Sequence, residues 1–324
     1  MIGLWLEGGE LSLASNLVRP EPKEDEALIR LRLAGICNTD LEMVRGYYPF
    51  TGILGHEFVG VVEQAPSGHE ALVGHRVVGE INAVCGNCAA CRAGRSNHCM
   101  NRTVLGIVRR DGAFAEYLTL PTRNLHVVPD EVPDEVAVFA EPLAAALQIQ
   151  EQVEIGGSHR VLVVGDGKLG QLIARTLALT GAKLVVAGRH REKLAPLAAA
   201  GVDTVHVTGA GPASELTEFD IAVECTGSPA GFETAGQALR PRGTLVMKST
   251  YADRLTIDAS RLVVDEITLV GSRCGPFAPA LELLASGELR VDDLVAARYP
   301  LENGLRALEH ARRPGVLKVL LSAR

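Results

Sequence analysis

The run Val161-Leu-Val-Val-Gly165-Asp-Gly167-Lys168-Leu169-Gly170 constrains this chain more than any other stretch. It reads as a short apolar strand, a G-x-G-x-x-G turn and the start of a helix, the opening of a parallel βαβ unit. Gly165 suits the tight turn, Gly167 the close approach of a pyrophosphate, and Gly170 the packing of helix on strand. Free N–H groups where Lys168 and Leu169 begin the helix favour an anion there. The same alternation continues. A helical period covers 168–180 and ends at Gly181, a strand follows at 183–187, and a second helix over 191–200 ends at Gly201. Later strands read at 220–224, 244–247 and 267–270, which predicts a doubly wound parallel sheet. A βαβ unit that binds no nucleotide is the bland alternative.

The chain before Pro133 has a different texture. Residues 27–33 and 114–120 alternate apolar with polar, while 58–63 and 76–80 are β-branched runs bounded by glycine. These predict a β-rich, barrel-like domain. The tail reads as helix at 276–286 and 301–312, then strand at 316–321. A length of 324 residues allows two domains, and 47% hydrophobic with 4% aromatic content predicts aliphatic cores. A net charge of −7 gives no electrostatic reason to bind nucleic acid or an anionic membrane. The start lacks a basic n-region and a long apolar run, and no segment approaches a membrane span. The expectation is a soluble, cytoplasmic protein whose seven cysteines are ligands or core residues rather than disulfide partners.

Four of those cysteines, Cys85, Cys88, Cys91 and Cys99, fall within fifteen residues. Thiolates so close repel one another unless a cation holds them, and zinc takes four of them tetrahedrally. Gly86, Asn87, Gly94 and Asn97 let the loop fold back. A closed four-sulfur shell predicts a structural zinc; an iron–sulfur cluster is the chemical competitor. His98 then reads as a loop residue.

The end of the second parallel strand discriminates between coenzymes. A carboxylate there accepts the ribose hydroxyls of NAD. This chain offers Gly188-Arg189-His190-Arg191, with no acid and with cations following, which predicts a preference for NADP(H). The bland alternative is that Arg189 and Arg191 cap a solvated turn.

Three further places carry metal-binding chemistry: Cys37-Asn-Thr39-Asp40, Gly55-His56-Glu57 and Ala140-Glu141-Pro142-Leu143. Each is weak alone. Cys37 could be a core residue, His56 is not followed by H-E-x-x-H because residue 60 is Gly60, and Glu141 suits a first helical turn. Their order along the chain, with the cysteine loop and the glycine turn, resembles the zinc-dependent medium-chain dehydrogenase/reductase superfamily, the alcohol dehydrogenase-like enzymes. The resemblance covers essentially the whole chain. Its Glu-Pro-Leu motif is closer to the polyol and glucose dehydrogenase type than to liver-type alcohol dehydrogenases.

The resemblance implies an α/β plus β fold: a GroES-like catalytic domain (1–138 and 272–324) interrupted by a Rossmann doubly wound parallel sheet (139–271). It implies two zinc ions per chain. Cys37, His56, Glu57 and Glu141 would serve the catalytic one, with Glu57 a ligand or exchanging with water. Asp40 would fix the tautomer of His56, and Thr39 would accept a hydrogen bond from the substrate alcohol and relay its proton. Glu42 stands where a relay histidine is expected, and reads as solvated. Cys225 and Thr226 would lie along the coenzyme, Ser272 and Arg273 near its nicotinamide, and Lys318 would reach its pyrophosphate or else face solvent. Arg45, Tyr47, Tyr48 and Phe50 wall a substrate pocket or merely pack. The activity implied is an NAD(P)-linked oxidation of an alcohol, polyol or sugar among them, or the matching carbonyl reduction, by a homodimer or homotetramer acting on a small molecule. The rival readings are a zinc-free quinone or alkene reductase and a non-catalytic nucleotide-binding protein of the same fold.

Overall fold

The computed structural model describes residues 1–208, 216–251 and 254–323. The chain divides into two compact units, Met1–Glu141 with Phe277–Arg324, and Pro142–Pro276.

The first unit is organised on the strand Glu26–Gly35, whose Leu28, Ile29, Leu31 and Leu33 are buried. Its sheet runs Leu125–Val127, Arg76–Gly79, Glu57–Gln64, Glu26–Gly35, Lys318–Ser322, Val295–Pro300, and Tyr117–Pro121 also pairs with Glu26–Gly35. All these pairings are antiparallel except that of Val295–Pro300 with Lys318–Ser322. Gly35 stands opposite both Glu57 and Leu320, so the starts of two neighbouring strands flank the end of the central one. The expected strand at 114–120 is shorter, Tyr117–Pro121. The backbone at Phe114 instead bonds Leu4 and Leu54, outside the ladder. An N-terminal hairpin, Gly3–Glu7 with Glu10–Ala14, and the strand Val295–Pro300 lie outside the sequence expectation; both are short and half-exposed, so their apolar pattern is faint.

The second unit is a six-stranded parallel sheet in the order Asp203–His206, Lys183–Gly188, Arg160–Val164, Phe219–Glu224, Leu239–Met247, Thr268–Gly271. Strand order reverses beside Arg160–Val164, the topological position where such sheets receive ligands at their carboxyl ends. Helices Lys168–Ala178 and Arg191–Ala199 connect the first strands. The core is largely aliphatic, with Leu162, Val164, Ala222 and Leu245 buried around two phenylalanines, Phe219 and Phe232. The α/β plus β class is therefore the observed architecture. Among the described residues no helix is long and apolar enough to cross a membrane.

Candidate active site

In the first unit, sheet register assembles side chains that lie far apart in sequence. Cys37 follows the central strand and starts the helix Asn38–Val44, in which Asp40 reaches back to the Cys37 N–H at 2.8 Å. Asp40 Oδ1 also lies 3.0 Å from His56 Nδ1, with both side chains almost fully buried. The donor atoms of Cys37, His56 and Glu57 gather within 4.8 Å of one another. Glu57 Oε1 is buried and accepts no hydrogen bond among the described residues, whereas Oε2 accepts one from Lys318 Nζ. An orphaned carboxylate oxygen beside a thiol and an imidazole fits a metal ion.

The electrostatics are consistent with that fit. Burial opposes a charged imidazole at His56, but Asp40 and Cys37 outweigh it and raise its pKa well above the ordinary value. Burial likewise opposes the Lys318 ammonium, and Glu57, Cys37 and Glu141 keep it charged. The surrounding acidic groups and Cys37 thus favour positive charge on the groups inside this cluster. Gly35 makes the arrangement sterically feasible: a Cβ there would approach Glu57 Oε2 to 2.2 Å.

The sequence-derived residues map unevenly onto this cluster. Glu141 is not one of the three gathered donors; it acts on the same cluster through the charge of Lys318. Lys318 is 2% exposed, so the solvent-facing alternative is overturned, and its ammonium is engaged with Glu57. Thr39 Oγ1 lies 3.8 Å from Cys37 Sγ. Glu42 pairs with Arg45 at the surface at 2.7 Å. Tyr47 and Tyr48 are 41% and 44% exposed, so core packing does not account for them.

Elsewhere in the same unit Cys85, Cys88, Cys91 and Cys99 carry free thiols with all four Sγ atoms within 4.8 Å. Sulfur–sulfur separations are 3.5 Å for Cys88–Cys91, 3.5 Å for Cys85–Cys99 and 3.8 Å for Cys88–Cys99. A tetrahedral shell of Zn–S bonds requires about 3.8 Å between sulfurs, so the set fits zinc, and these distances are too long for a disulfide. The N–H of Cys91, then the Cys91 thiol and the N–H of Met100, hold Cys88 down to about 6. Desolvation and the neighbouring sulfurs push Cys91 up to about 12. Metal-free, the loop cannot carry four thiolates; a cation removes that conflict. His98 is exposed beside it.

In the second unit the glycine turn fits a dinucleotide. Gly165 has φ +132°, in the range that favours glycine, and a Cβ on Gly170 would strike Gly165 O at 2.1 Å. A Cβ on Gly167 would meet nothing within 4 Å, leaving open space where a pyrophosphate would approach the helix start. Sequence reading missed Asp166 and Glu224. Asp166 packs over Gly188, where a Cβ would come within 2.5 Å of its Oδ2. It accepts from the His190 backbone N–H at 2.7 Å and lies 3.0 Å from His190 Nδ1. The strand end thus does carry a carboxylate, contributed from inside the glycine turn and engaged with His190. Glu224 is fully buried and accepts from the N–H groups of Thr226 and Gly227 and the hydroxyls of Thr226 and Tyr251. Burial, then Glu224, pushes Tyr251 above its usual range, and burial raises Cys225, which packs as an inert thiol on Gly165. A lone acid closing an apolar strand was the one available signal for Glu224.

Comparison with known proteins agrees with this geometry. The family described as "Alcohol dehydrogenase GroES-like domain" matches residues 23–130, and that described as "Zinc-binding dehydrogenase" matches 169–286. An L-threonine 3-dehydrogenase from Chelativorans sp. (strain BNC1) is 34% identical, covering 83% of this chain and 80% of the relative. A sorbitol dehydrogenase from Halalkalibacterium halodurans is 28% identical over 94% of this chain and 93% of its own. A zinc-binding dehydrogenase from Sinorhizobium meliloti 1021, solved bound to NADP, superposes with TM-score 0.90 at 28% identity, covering 99% and 98% of the two chains. The first unit is a GroES-like domain and the second a Rossmann sheet. The chain belongs to the zinc-dependent medium-chain dehydrogenase/reductase superfamily, and it is an NAD(P)-dependent oxidoreductase that acts on CH–OH groups.

Proposed function

We propose that the substrate is a small, multiply hydroxylated molecule of the polyol or sugar kind, that NADP(H) is the preferred coenzyme and that each chain holds two zinc ions. The observation that carries the substrate reading is the acidic donor set, Cys37, His56 and Glu57 with Glu141 nearby, in a family whose named relatives include sorbitol dehydrogenase. In this reading Cys37, His56 and Glu57 hold the catalytic zinc and Glu141 exchanges with Glu57. Cys85, Cys88, Cys91 and Cys99 hold the structural zinc. Bound zinc supplies Lewis acidity that lowers the pKa of a substrate hydroxyl, and the nicotinamide supplies the hydride acceptor. The protein's own contribution is positional. Asp40 keeps a proton on His56 Nδ1 and leaves Nε2 to the metal. Lys318 draws Glu57 Oε2 aside and leaves Oε1 to the metal. Thr39 accepts a hydrogen bond from the hydroxyl and passes its proton outward.

For the coenzyme, Gly165, Gly167 and Gly170 with the N–H groups of Lys168 and Leu169 take the pyrophosphate. Gly188, Arg189 and His190 take the adenosine ribose, and Cys225, Thr226, Ser272 and Arg273 flank the rest. What supports NADP(H) is that Gly188 carries no acid, Asp166 is engaged with His190, and Arg189 and Arg191 are exposed. Replacing Arg189 with Ala is expected to lower kcat/KM for NADP about tenfold, the loss of one charge-assisted hydrogen bond, and to leave NAD unchanged. A native preference for NAD overturns the assignment. Two zinc ions per chain by metal analysis, with turnover highest on polyols in a panel of alcohols, polyols and aldehydes, tests the rest; a single zinc overturns the two-ion assignment, and highest turnover on simple alcohols overturns the substrate class.

A second copy of the chain is the proposed partner. The edge strand Thr268–Gly271 is paired on one side only among the described residues, with Leu269, Val263 and Val264 exposed nearby. Sedimentation of the native chain and of Leu269→Lys tests this: a dimer or tetramer weakened by the charge supports it, and a native monomer refutes it. A cytoplasmic setting suits the need for reduced thiols.

A further inference from the structure

Two buried charges at the carboxyl end of the parallel sheet take no part in the metal or hydride chemistry. Glu224 closes its strand with 0% exposure, and Lys248 follows the last residue of the neighbouring strand with 8%. A buried ammonium is costly unless its protons are bonded. Lys248 Nζ donates to Ser272 Oγ and to the Arg273 C=O, both at 3.1 Å. Ser272 is the last residue that the sheet holds by its backbone, through its N–H to Met247 C=O at 3.0 Å. The segment on either side rests on the helix Ala140–Gln152: Gln152 Nε2 donates to Gly271 C=O at 3.0 Å, and a Cβ on Gly275 would come within 1.9 Å of Ala144 O. Between these anchors the Arg273 peptide lies beyond the ladder, and its carbonyl accepts a hydrogen bond from the Lys248 ammonium. Glu224 does the complementary work one strand away, gathering N–H groups of Thr226 and Gly227 where Lys248 binds a C=O.

We infer that Lys248 is a positioning residue for the nicotinamide half of the coenzyme: by holding Ser272 and the Arg273 carbonyl it sets the orientation of the segment on which the ring is seated. This rests on the reading of Ser272 and Arg273 as lying on the nicotinamide side of the coenzyme. Lys248 touches the segment rather than the reacting atoms, so its loss acts on ring placement and spares the adenosine half.

The test uses the full-length, zinc-loaded protein and two probes. NADPH and NADH binding is read by the fluorescence of the reduced nicotinamide. ADP-ribose, with and without its 2′-phosphate, reports the nicotinamide-free half by calorimetry. Lys248→Met keeps the side-chain volume and removes the donors. The expected result is about a tenfold rise in Kd for NAD(P)H, with ADP-ribose affinity unchanged within about twofold. Equal weakening of both probes, or no change in either, overturns the assignment. Lys248→Gln, which retains one donor, and Ser272→Ala, which removes one acceptor, are expected to give smaller losses in the same direction; they decide the matter if Lys248→Met does not fold. Gly275→Val separates the proposal from the reading beneath it. If Gly275→Val abolishes the nicotinamide-dependent gain and Lys248→Met does not, the role of Lys248 is refuted and the segment reading stands. If neither variant alters that gain, the segment reading itself fails.

Discussion

The first unit contains two clusters of metal-binding side chains built on opposite plans. Cys85, Cys88, Cys91 and Cys99 come from one short loop and present four like donors, of which Cys85 and Cys88 are drawn toward the thiolate form largely by backbone N–H groups such as that of Cys91. Cys37, His56 and Glu57 come from the end of one strand and the start of another, present three unlike donors, and are held by buried charged partners, Asp40 and Lys318. A four-sulfur shell is closed, whereas three donors leave a position for a substrate oxygen. The loop thus needs little besides its own sequence, while the other cluster exists only if the sheet register is correct. The largest effect expected from this contrast is on turnover. Cys37→Ser or His56→Ala should lower kcat/KM by about 1000-fold or more, about 4 kcal/mol of transition-state stabilisation, with Tm and coenzyme binding little changed. Activity retained in both variants would falsify the division of labour between the clusters.

Cys88→Ser probes the other side of the contrast, and its effect should fall on stability. A structural zinc contributes directly to folding, so loss of one thiolate is expected to lower Tm by about 6–12 °C, from about 3 kcal/mol in a domain of this size. Stoichiometry should drop from two zinc ions to one, while the remaining folded fraction keeps its kcat. A variant that loses turnover in proportion to zinc, with Tm unmoved, reverses the roles assigned to the two clusters.

A third pair of variants targets the partners that the second cluster needs and the first does not. Lys318→Met removes the donor that holds Glu57 Oε2, and Gly35→Ala crowds the same oxygen. Outer-shell groups of this kind are worth about 10–100-fold in metal affinity or activity. Both variants should lose catalytic zinc to a chelator faster than the native protein and retain the structural ion. If Gly35→Ala behaves as wild type, Glu57 has room to move and its position is not set by the 35/57 register.

The same contrast explains what could be read from the residues alone. The cysteine loop and the glycine turn are contiguous, so spacing carries their chemistry, and the strands around residues 160, 183 and 220 follow from simple apolar runs. Cys37, His56 and Glu57 are individually weak signals and gain meaning only as an ordered set. Lys318 reads in sequence as a choice between pyrophosphate and solvent because no pattern in Val316-Leu-Lys-Val tells which strand it will pair with; the Gly35–Leu320 register does. Asp166, Glu224 and Lys248 escape for the related reason that a single charge in an apolar run looks like a solvated end until its burial is known. Asp166 is the instructive case. A carboxylate does reach the end of the second strand, but it comes from the turn after the first, where parallel pairing of Val164 with Ala187 brings it up to His190, and His190 engages it.

The smallest expected effect concerns the boundary of the second cluster. Glu42 lies on the Asn38–Val44 helix, two residues after Asp40, and a proton relay through it would extend the site to the surface. Its carboxylate instead pairs with Arg45 three residues on, with side-chain exposures of 37% for Glu42 and 63% for Arg45. Exposed pairs of this kind contribute about 0–1 kcal/mol, and salt screens them. Asp40, by contrast, is fully buried against His56. Glu42→Gln should therefore leave kcat within about twofold of the native value and its pH profile unshifted. Asp40→Asn, on the same helix, should cost about 10–100-fold. A tenfold loss in Glu42→Gln that exogenous buffer restores would make Glu42 part of the proton path. The cluster would then end at the surface rather than at Thr39.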